Sequence, residues 1–487
     1  MSGNIRAIDA IIIITYFVAM GLIGLVAFKR NKSSEDYFVA GKTLGVFSLA
    51  AMWLSSWIGG SSIVGTSTDA YNLGVSGGWY VVILAFGTAL FGLTFSRPAK
   101  RVGEKMQNIT YPALITSRYD NKCGFVVIIC SFLAMIGFAA SQFVAMGSMM
   151  ATLTGWDAST CYIVSTVITV LYSAIGGLLA ITYTTWIQFI LIIVGTVILG
   201  VPLAAHAMGG ISQVGTLPVE YFDISAYGWS TTLALAVSSI GSFFTSMDSY
   251  TRCFAAKSEK ASRKGALCAA VGVLFIAASA TFIGLAAKVL MPELPEGTSA
   301  FAAIVSRYFP AGVSGIVMVG VFAAIMSTAV VSINMCSANV TMDIYRDRIN
   351  PKADDKKLKR IGIISSVVAG IVGALLAWWK YNIISLLLMA FTFTTATLFF
   401  PTVVGMFWKK PNSKASFISM MCSLIVVIVW MVGEGAGWGA FFEVDALWPG
   451  LAVSGITYFG ITLLSKTSEE EQARAKEFCD SVKAQPQ

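Results

Sequence analysis

Ala324, Ser327 and Thr328 stand at i, i+3 and i+4 inside the apolar stretch 321–345, which is long enough to cross a bilayer. On a helix those three positions share one face. That face offers one backbone oxygen and two hydroxyls, all uncharged. Hard monovalent cations take oxygen ligands, and weak neutral ones suit an ion that must bind and then leave. Ser and Thr in membrane helices also bond back to their own backbone, or let a neighbouring helix pack closely. A second unusual stretch, 44–71, reads LGVFSLAAMWLSSWIGGSSIVGTSTDAY. Gly59-Gly60 lies at its middle among Ser55, Ser56, Ser61 and Ser62. Adjacent glycines at membrane depth favour a broken helix whose free backbone groups line a cavity, rather than a mere small-residue packing groove. A third stretch, SSIGSFFTSMDSYTR at 238–252, carries a similar interruption centred on Gly241.

These groups need elements to hold them, and composition says which. Of 487 residues, 56% are hydrophobic and 12% charged, with a mean hydropathy of +0.76. That excludes a soluble globular protein. The chain divides into apolar runs of spanning length at roughly 6–28, 44–72, 77–98, 123–153, 157–177, 181–207, 229–252, 264–291, 312–345, 358–379, 381–408, 413–435 and 443–465. In lipid every span must satisfy its own backbone, so the expected fold class is an all-α polytopic membrane protein of about 13 transmembrane helices.

Basic residues orient the spans. With the N-terminus outside, the inner connections hold 29 of the 33 Lys and Arg, leaving Arg6, Lys288, Arg307 and Lys380 outside. This positive-inside bias predicts an outer N-terminus and a cytoplasmic C-terminus in a plasma membrane, of the bacterial inner-membrane type. The net charge of +8 then reflects topology and anionic lipid headgroups, not nucleic acid. The first span is followed by Lys29, Arg30 and Lys32 without a cleavage motif, so it reads as a retained helix and not a signal peptide. Eight cysteines without CxxC spacing argue against a disulfide or zinc framework. A lone histidine, His206, leaves no histidine relay or Ser-His pairing, and no HExxH is present. No enzyme is expected.

Several further pieces carry a family resemblance: DYFVAGKTLG at 36–45, YSAIGGLLAITYTTWIQ at 172–188, CFAAKSEKASRKGA at 253–266, AAIMST at 323–328 with the following MDIYR, and PTVVGMFWKK at 401–410. In this order and on this topology the chain resembles the sodium/solute symporter family, the group with the sodium–proline, sodium–glucose, sialic acid, pantothenate and choline transporters. The resemblance implies a leucine-transporter-type fold, with two inverted five-helix repeats whose first helices are broken. Residues 1–43 would then be an extra N-terminal helix and inner loop, and 44–208 and 209–410 the two repeats. Residues 411–466 would form two further helices, and 467–487 a cytoplasmic tail.

Carried over residue by residue, the resemblance implies sodium (Na+) as the coupled ion, held by the carbonyls of Ser55, Ile58 and Ala324 and the hydroxyls of Ser327 and Thr328. A second sodium in some relatives uses a carboxylate where this chain has Thr185, and hydroxyls where it has Val330 and Val331. One Na+ per solute is therefore expected, and loss of that carboxylate also removes the obvious group for proton coupling. The resemblance places the solute near Trp57, Ser61 and Ser62 on one side and Ser239, Ser242 and Phe243 on the other, with Gln142, Thr392 and Thr394 in reach.

No carboxylate is expected at the midplane: Asp69, Asp248 and Glu434 fall toward span ends, and Asp248 with Arg252 forms an inner-end i,i+4 pair. An amino acid, another small zwitterion or an organic acid is the preferred solute, recognised by helix N-termini at the breaks. Trp53 and Trp57, four apart, support a quaternary-amine (choline- or betaine-like) solute as the alternative. Readings from other classes are a uniporter or channel, or a solute sensor without transport, which is expected to carry a signalling domain in place of the short charged tail. The outer loop 211–228 is expected to cap the outer face, and the expected partners are the solute, sodium and membrane lipid, as a monomer or homodimer.

Overall fold

The computed structural model describes residues 5–30, 44–107, 110–295, 297–379, 383–439, 442 and 444–483. Most of the 36–45 motif, the cations at 32 and 42, and Lys380 lie outside the described residues. Among the described residues the chain is helical, relieved by short turns and one isolated backbone bridge between Leu44 and Ala256. Among the described residues ten helices are long and apolar enough to cross a membrane, and two shorter apolar helices, Val46–Trp57 and Ala158–Ala174, accompany them. The chain is a multi-pass membrane protein.

Starts and stops follow local chemistry. Asp120 accepts the Cys123 amide at 2.8 Å to begin Asn121–Thr154, and Ser258 and Asn412 cap Glu259–Leu290 and Ser413–Ala436 in the same way. Gly155, in the left-handed region at φ 70°, ends Asn121–Thr154 where a side chain would be strained. Helix Val313–Ala338 has no acceptor of its own at its N-terminus and uses Asp9 from the first helix, Ala7–Arg30. That carboxylate accepts the amides of Gly312 and Gly315 and the Ser314 hydroxyl.

One sequence boundary differs. The spans expected at 157–177 and 181–207 are joined by helix that runs Ala158–Ile192 without a break. Twelve residues along a straight helix cover about 18 Å. Yet the Tyr172 hydroxyl lies 3.0 Å from Thr184 Oγ1, closer than a straight helix allows, so the helical path bends between them and the two expected spans stay in contact.

Burial sorts the helices. In the most apolar stretch of the first helix, Ala7–Gly24, only 22% of residues are buried, and Ile11, Ile14, Val18 and Leu22 face outward as lipid-contacting side chains do. In the most apolar 18-residue window of Val313–Ile349, 94% are buried. This is the central helix, and small residues let it sit close. A Cβ on Gly195 would stand 3.1 Å from the Val317 carbonyl, and one on Gly320 would stand 2.5 Å from the Leu191 carbonyl. The 211–228 loop packs on neighbouring helix ends: Trp79 donates to the Ile224 carbonyl at 2.8 Å, and Gly74, at φ 74°, lies directly under Tyr221.

Candidate functional site

The first interruption lies where the glycines predict it. Helix Val46–Trp57 ends at Ile58, whose backbone is extended (φ −97°, ψ 97°). The chain bends at Gly59 and resumes as a wide π-turn, Ser61–Gly65, that runs into helix Thr66–Leu73. Only glycine fits at the bend: a Cβ on Gly59 would strike Gln142 Oε1 and come within 2.8 Å of Thr328 Oγ1. Backbone groups freed by the break find partners nearby. Gln142 Oε1 accepts the Gly60 amide at 2.7 Å, and the Ser62 hydroxyl donates to the Trp57 carbonyl at 3.0 Å.

Across from this break stands the central helix. The Ser327 hydroxyl is 2.8 Å from the Ser55 carbonyl and 2.9 Å from the Ala324 carbonyl, and Thr328 Oγ1 is 3.1 Å from the same Ser55 carbonyl. Four neutral oxygens from two helices therefore share one small volume, all on buried residues. Two hydroxyl protons serve these contacts, and both hydroxyls can rotate to turn lone pairs inward, which is what a desolvated monovalent cation needs. Ile58, the fifth expected ligand, is fully buried at the bend, and its amide donates to Leu54. Among the described residues no group of three or more His, Cys, Asp or Glu stands together to hold a metal ion.

The second interruption corrects the expectation at Gly241. That glycine lies inside helix Trp229–Thr245, packed tightly against Thr395. The break comes at Ser246, extended at φ −87° and ψ 133°, and helix Met247–Ala255 starts there with the Ser246 hydroxyl accepting the Asp248 amide at 3.2 Å. A Ser two residues before an Asp is a helix-start signature, and it was a better guide here than glycine.

The Asp248–Arg252 pair forms as the spacing predicts, at 2.6 Å, but its placement is corrected. Both side chains are almost wholly enclosed, and Arg252 also reaches the Ser56 hydroxyl, so the pair lies directly against the first break. A carboxylate is thus present where the sequence promised none.

Aromatic rings fill the space between the two breaks. Trp57 stacks on Phe243 with centroids 3.9 Å apart and lies 5.9 Å from Phe391 and 5.8 Å from Phe138. Trp53 stands behind, 6.2 Å from Phe243. The Ser239 hydroxyl is buried without a hydrogen-bond partner, the buried Tyr80 hydroxyl faces Ser61 and Ser62, and Ser242 bonds back to the Ser239 carbonyl. Helix Ile383–Phe399 meets this region through Phe391 and through Thr395, which donates to the Ser238 carbonyl at 2.8 Å. Thr392 and Thr394 are buried, and Thr394 bonds back to Phe391. Gln142 serves the broken backbone. Phe138, Phe391, Tyr80, Ser332 and Asp248 were missed by the sequence reading. The first four sit on helices of uniform hydropathy, where nothing in the sequence marks the inward face. Thr185, Val330 and Val331 are buried, and none of them brings a charge to the central helix.

Comparison with known proteins adds independent findings. The sequence model of the sodium:solute symporter family matches residues 37–423. The high-affinity proline transporter PutP of Bacillus subtilis (strain 168) is 24% identical over 481 residues, covering 95% of this chain and 98% of that protein. The sodium/pantothenate symporter of Escherichia coli (strain K12) is 25% identical over 442 residues, covering 86% and 89%. Among solved structures, a Na+-coupled sialic acid symporter in a substrate-bound outward-open state superposes with a TM-score of 0.80 at 19% identity, over 96% of this chain and 100% of that one. The same backbone architecture is therefore shared with a transporter whose sequence has diverged widely.

Proposed function

The chain belongs to the sodium:solute symporter family, and from that premise we propose that it imports a small zwitterionic solute, an amino acid first among them, by sodium-coupled alternating access. Sodium is the coupling ion. The observation that carries the reading is the convergence of the Ser55 and Ala324 carbonyls with the Ser327 and Thr328 hydroxyls across the first break. These residues, with the Ile58 carbonyl, form the proposed ion site. One Na+ moves per solute, because the position of a second site is occupied by Thr185, Val330 and Val331, which supply no charge there.

The arrangement supports a simple cycle. Sodium binds between the end of Val46–Trp57 and the central helix, drawing the two together and fixing the break beside Trp57. The solute then seats between the broken helices, which belong to two inverted five-helix repeats. Inward opening parts the two helices, so the carbonyls and hydroxyls no longer share one volume, and the ion leaves into a cytoplasm poor in sodium. Movement of one positive charge across about 100 mV yields about 2.3 kcal/mol. With a concentration gradient of comparable size, one sodium supports roughly a thousandfold accumulation of a neutral solute.

The experiment is a thermal-stability screen of the purified protein against amino acids, organic acids and quaternary amines, in sodium and again in potassium. A ligand that binds only the folded state raises its stability by mass action. Stabilisation by an amino acid in sodium alone is the expected result, lost in Ser327→Ala. Equal stabilisation in both salts would overturn the coupling and favour a uniporter or sensor.

A further inference from the structure

A small cavity of about 10 Å³ lies between the two breaks, bordered by Ser56, Trp57, Phe138, Ser246, Asp248 and Ser332 among its lining residues. That is the room of one water molecule, or of one ammonium group. Its polar wall holds the Asp248 carboxylate and the serine oxygens, with the buried Trp57 indole N–H as a donor beside them. Ser332 spends its proton on the Thr328 carbonyl at 2.9 Å, leaving lone pairs free, and the Ser246 oxygen already accepts one amide. Arg252 occupies the Oδ1 side of Asp248, and the side chains of Trp57 and Ser56 also face its carboxylate, whose buried Oδ2 makes no well-formed hydrogen bond. The remainder of the wall is aromatic, with Trp57 and Phe138 edge to face. A buried carboxylate oxygen without a well-formed hydrogen bond is a costly feature that calls for an explanation.

Resting on the symport reading above, we propose that Asp248 is the specificity-determining residue that receives the ammonium group of a zwitterionic solute in this cavity. Three N–H donors match a carboxylate oxygen and two serine oxygens. Charge balance selects the zwitterion. The Asp248–Arg252 pair is neutral as a whole, so a solute with only a positive charge would leave that charge uncompensated in a buried site. A zwitterion carries its own carboxylate toward Arg252 or the amides of the broken helices. A quaternary amine has no N–H to donate and exceeds the cavity, so the choline-like alternative is disfavoured. Ser332 stands one turn from Thr328 on the central helix, so an occupied cavity and an occupied sodium site would brace the same two helices.

The test uses the full-length protein in detergent and three probes in sodium: L-alanine, its N,N,N-trimethyl betaine, and propionate, with glycine, glycine betaine and acetate as a second series. The wild type is expected to be stabilised by the amine-bearing member of a series at concentrations at least tenfold below its two analogues. Asp248→Asn keeps the size of the side chain and removes its charge. It is expected to lose that preference while keeping its stabilisation by sodium alone. A betaine or a plain carboxylate equal to the amine would overturn the proposal and leave sodium symport intact. Unchanged amine preference in Asp248→Asn would do the same. Loss of sodium stabilisation in that variant would mean that the cavity takes a second sodium and no ammonium. Absence of any sodium-dependent stabilisation in the wild type would sink the symport reading itself. Should Asp248→Asn fail to fold, the analogue series on the wild type decides alone, with Ser332→Ala as the second variant.

Discussion

At the first interruption the chain leaves its helix at Ile58 and resumes at Gly60 with no charged side chain of its own; at the second it pauses at Ser246 beside an Asp–Arg pair sealed from solvent. The first break keeps its freed backbone groups satisfied by borrowing one neutral side chain, Gln142, and one of its own hydroxyls, Ser62. The second begins a new helix with a serine cap and places charge in the first turn. The difference separates two tasks. An ion that must leave in each cycle is suited by dipoles that hold it weakly. A fixed buried charge, in contrast, must keep its counterion at all times, because stranding it is expensive.

That contrast predicts the largest effect. Arg252→Met strands Asp248 in a dry site and should cost about 3–5 kcal/mol of stability, whereas Asp248→Leu with Arg252→Met removes both charges and should recover most of the loss. Denaturant titration in detergent of the wild type, the single and the double variant measures it. A single variant as stable as the double one would mean that the pair is solvated and that the two breaks differ less than described.

At the first break the expected damage is steric and smaller. Gly60→Ala drives a methyl group against Ala145 and to 3.1 Å from Ile325 Cγ1, where both neighbours are held by packed helices. Overpacking of this kind costs about 1–3 kcal/mol. The loss should appear in stability and in transport together, since the methyl group pushes the break away from the central helix. Retention of full transport would show that the bend at Gly59 tolerates displacement.

Ser327→Ala comes next and touches function more than fold. It deletes one of five oxygens in the proposed ion site and should weaken sodium binding about fivefold to a hundredfold, from a loss of about 1–3 kcal/mol. The midpoint of the sodium-dependent rise in thermal stability reads this directly. An unmoved midpoint would take the ion away from this helix pair.

How far these features could be read from the sequence depended on how they announce themselves. Gly59-Gly60 was decisive because paired glycines have few other reasons to stand inside an apolar run, and the structure puts the bend there. The face of Ala324, Ser327 and Thr328 was legible because helical spacing alone brings the three together. Gly241 misled, since a helix glycine marks close packing as readily as a break, and here it makes room for Thr395. The cap at Ser246 was legible in principle but was overlooked. Burial of Asp248 was not legible at all: hydropathy treats a charged residue near the end of a span as a boundary, and only tertiary packing brings Ser56 and Trp57 over it. Hydropathy separated the spans at 157–177 and 181–207, but no sequence signal showed that helix would continue between them.

The smallest predicted effects offer the sharpest discrimination between the breaks. Ser62→Ala removes the hydroxyl that bridges the first break to the Trp57 carbonyl, and Ser246→Ala removes the cap of the second. Each deletes one hydrogen bond worth about 1 kcal/mol, so in potassium the two variants should lose similar amounts of stability. Sodium should separate them. If the ion is held by carbonyls at the first break, loosening that break in Ser62→Ala reduces the stabilisation that sodium adds, and the deficit relative to wild type grows as sodium is titrated in. Ser246→Ala leaves those carbonyls in place, so its deficit should be the same in both salts. Parallel behaviour of the two variants would show that sodium binding does not sense the first break, and the division of labour between neutral and charged interruptions would fail with it.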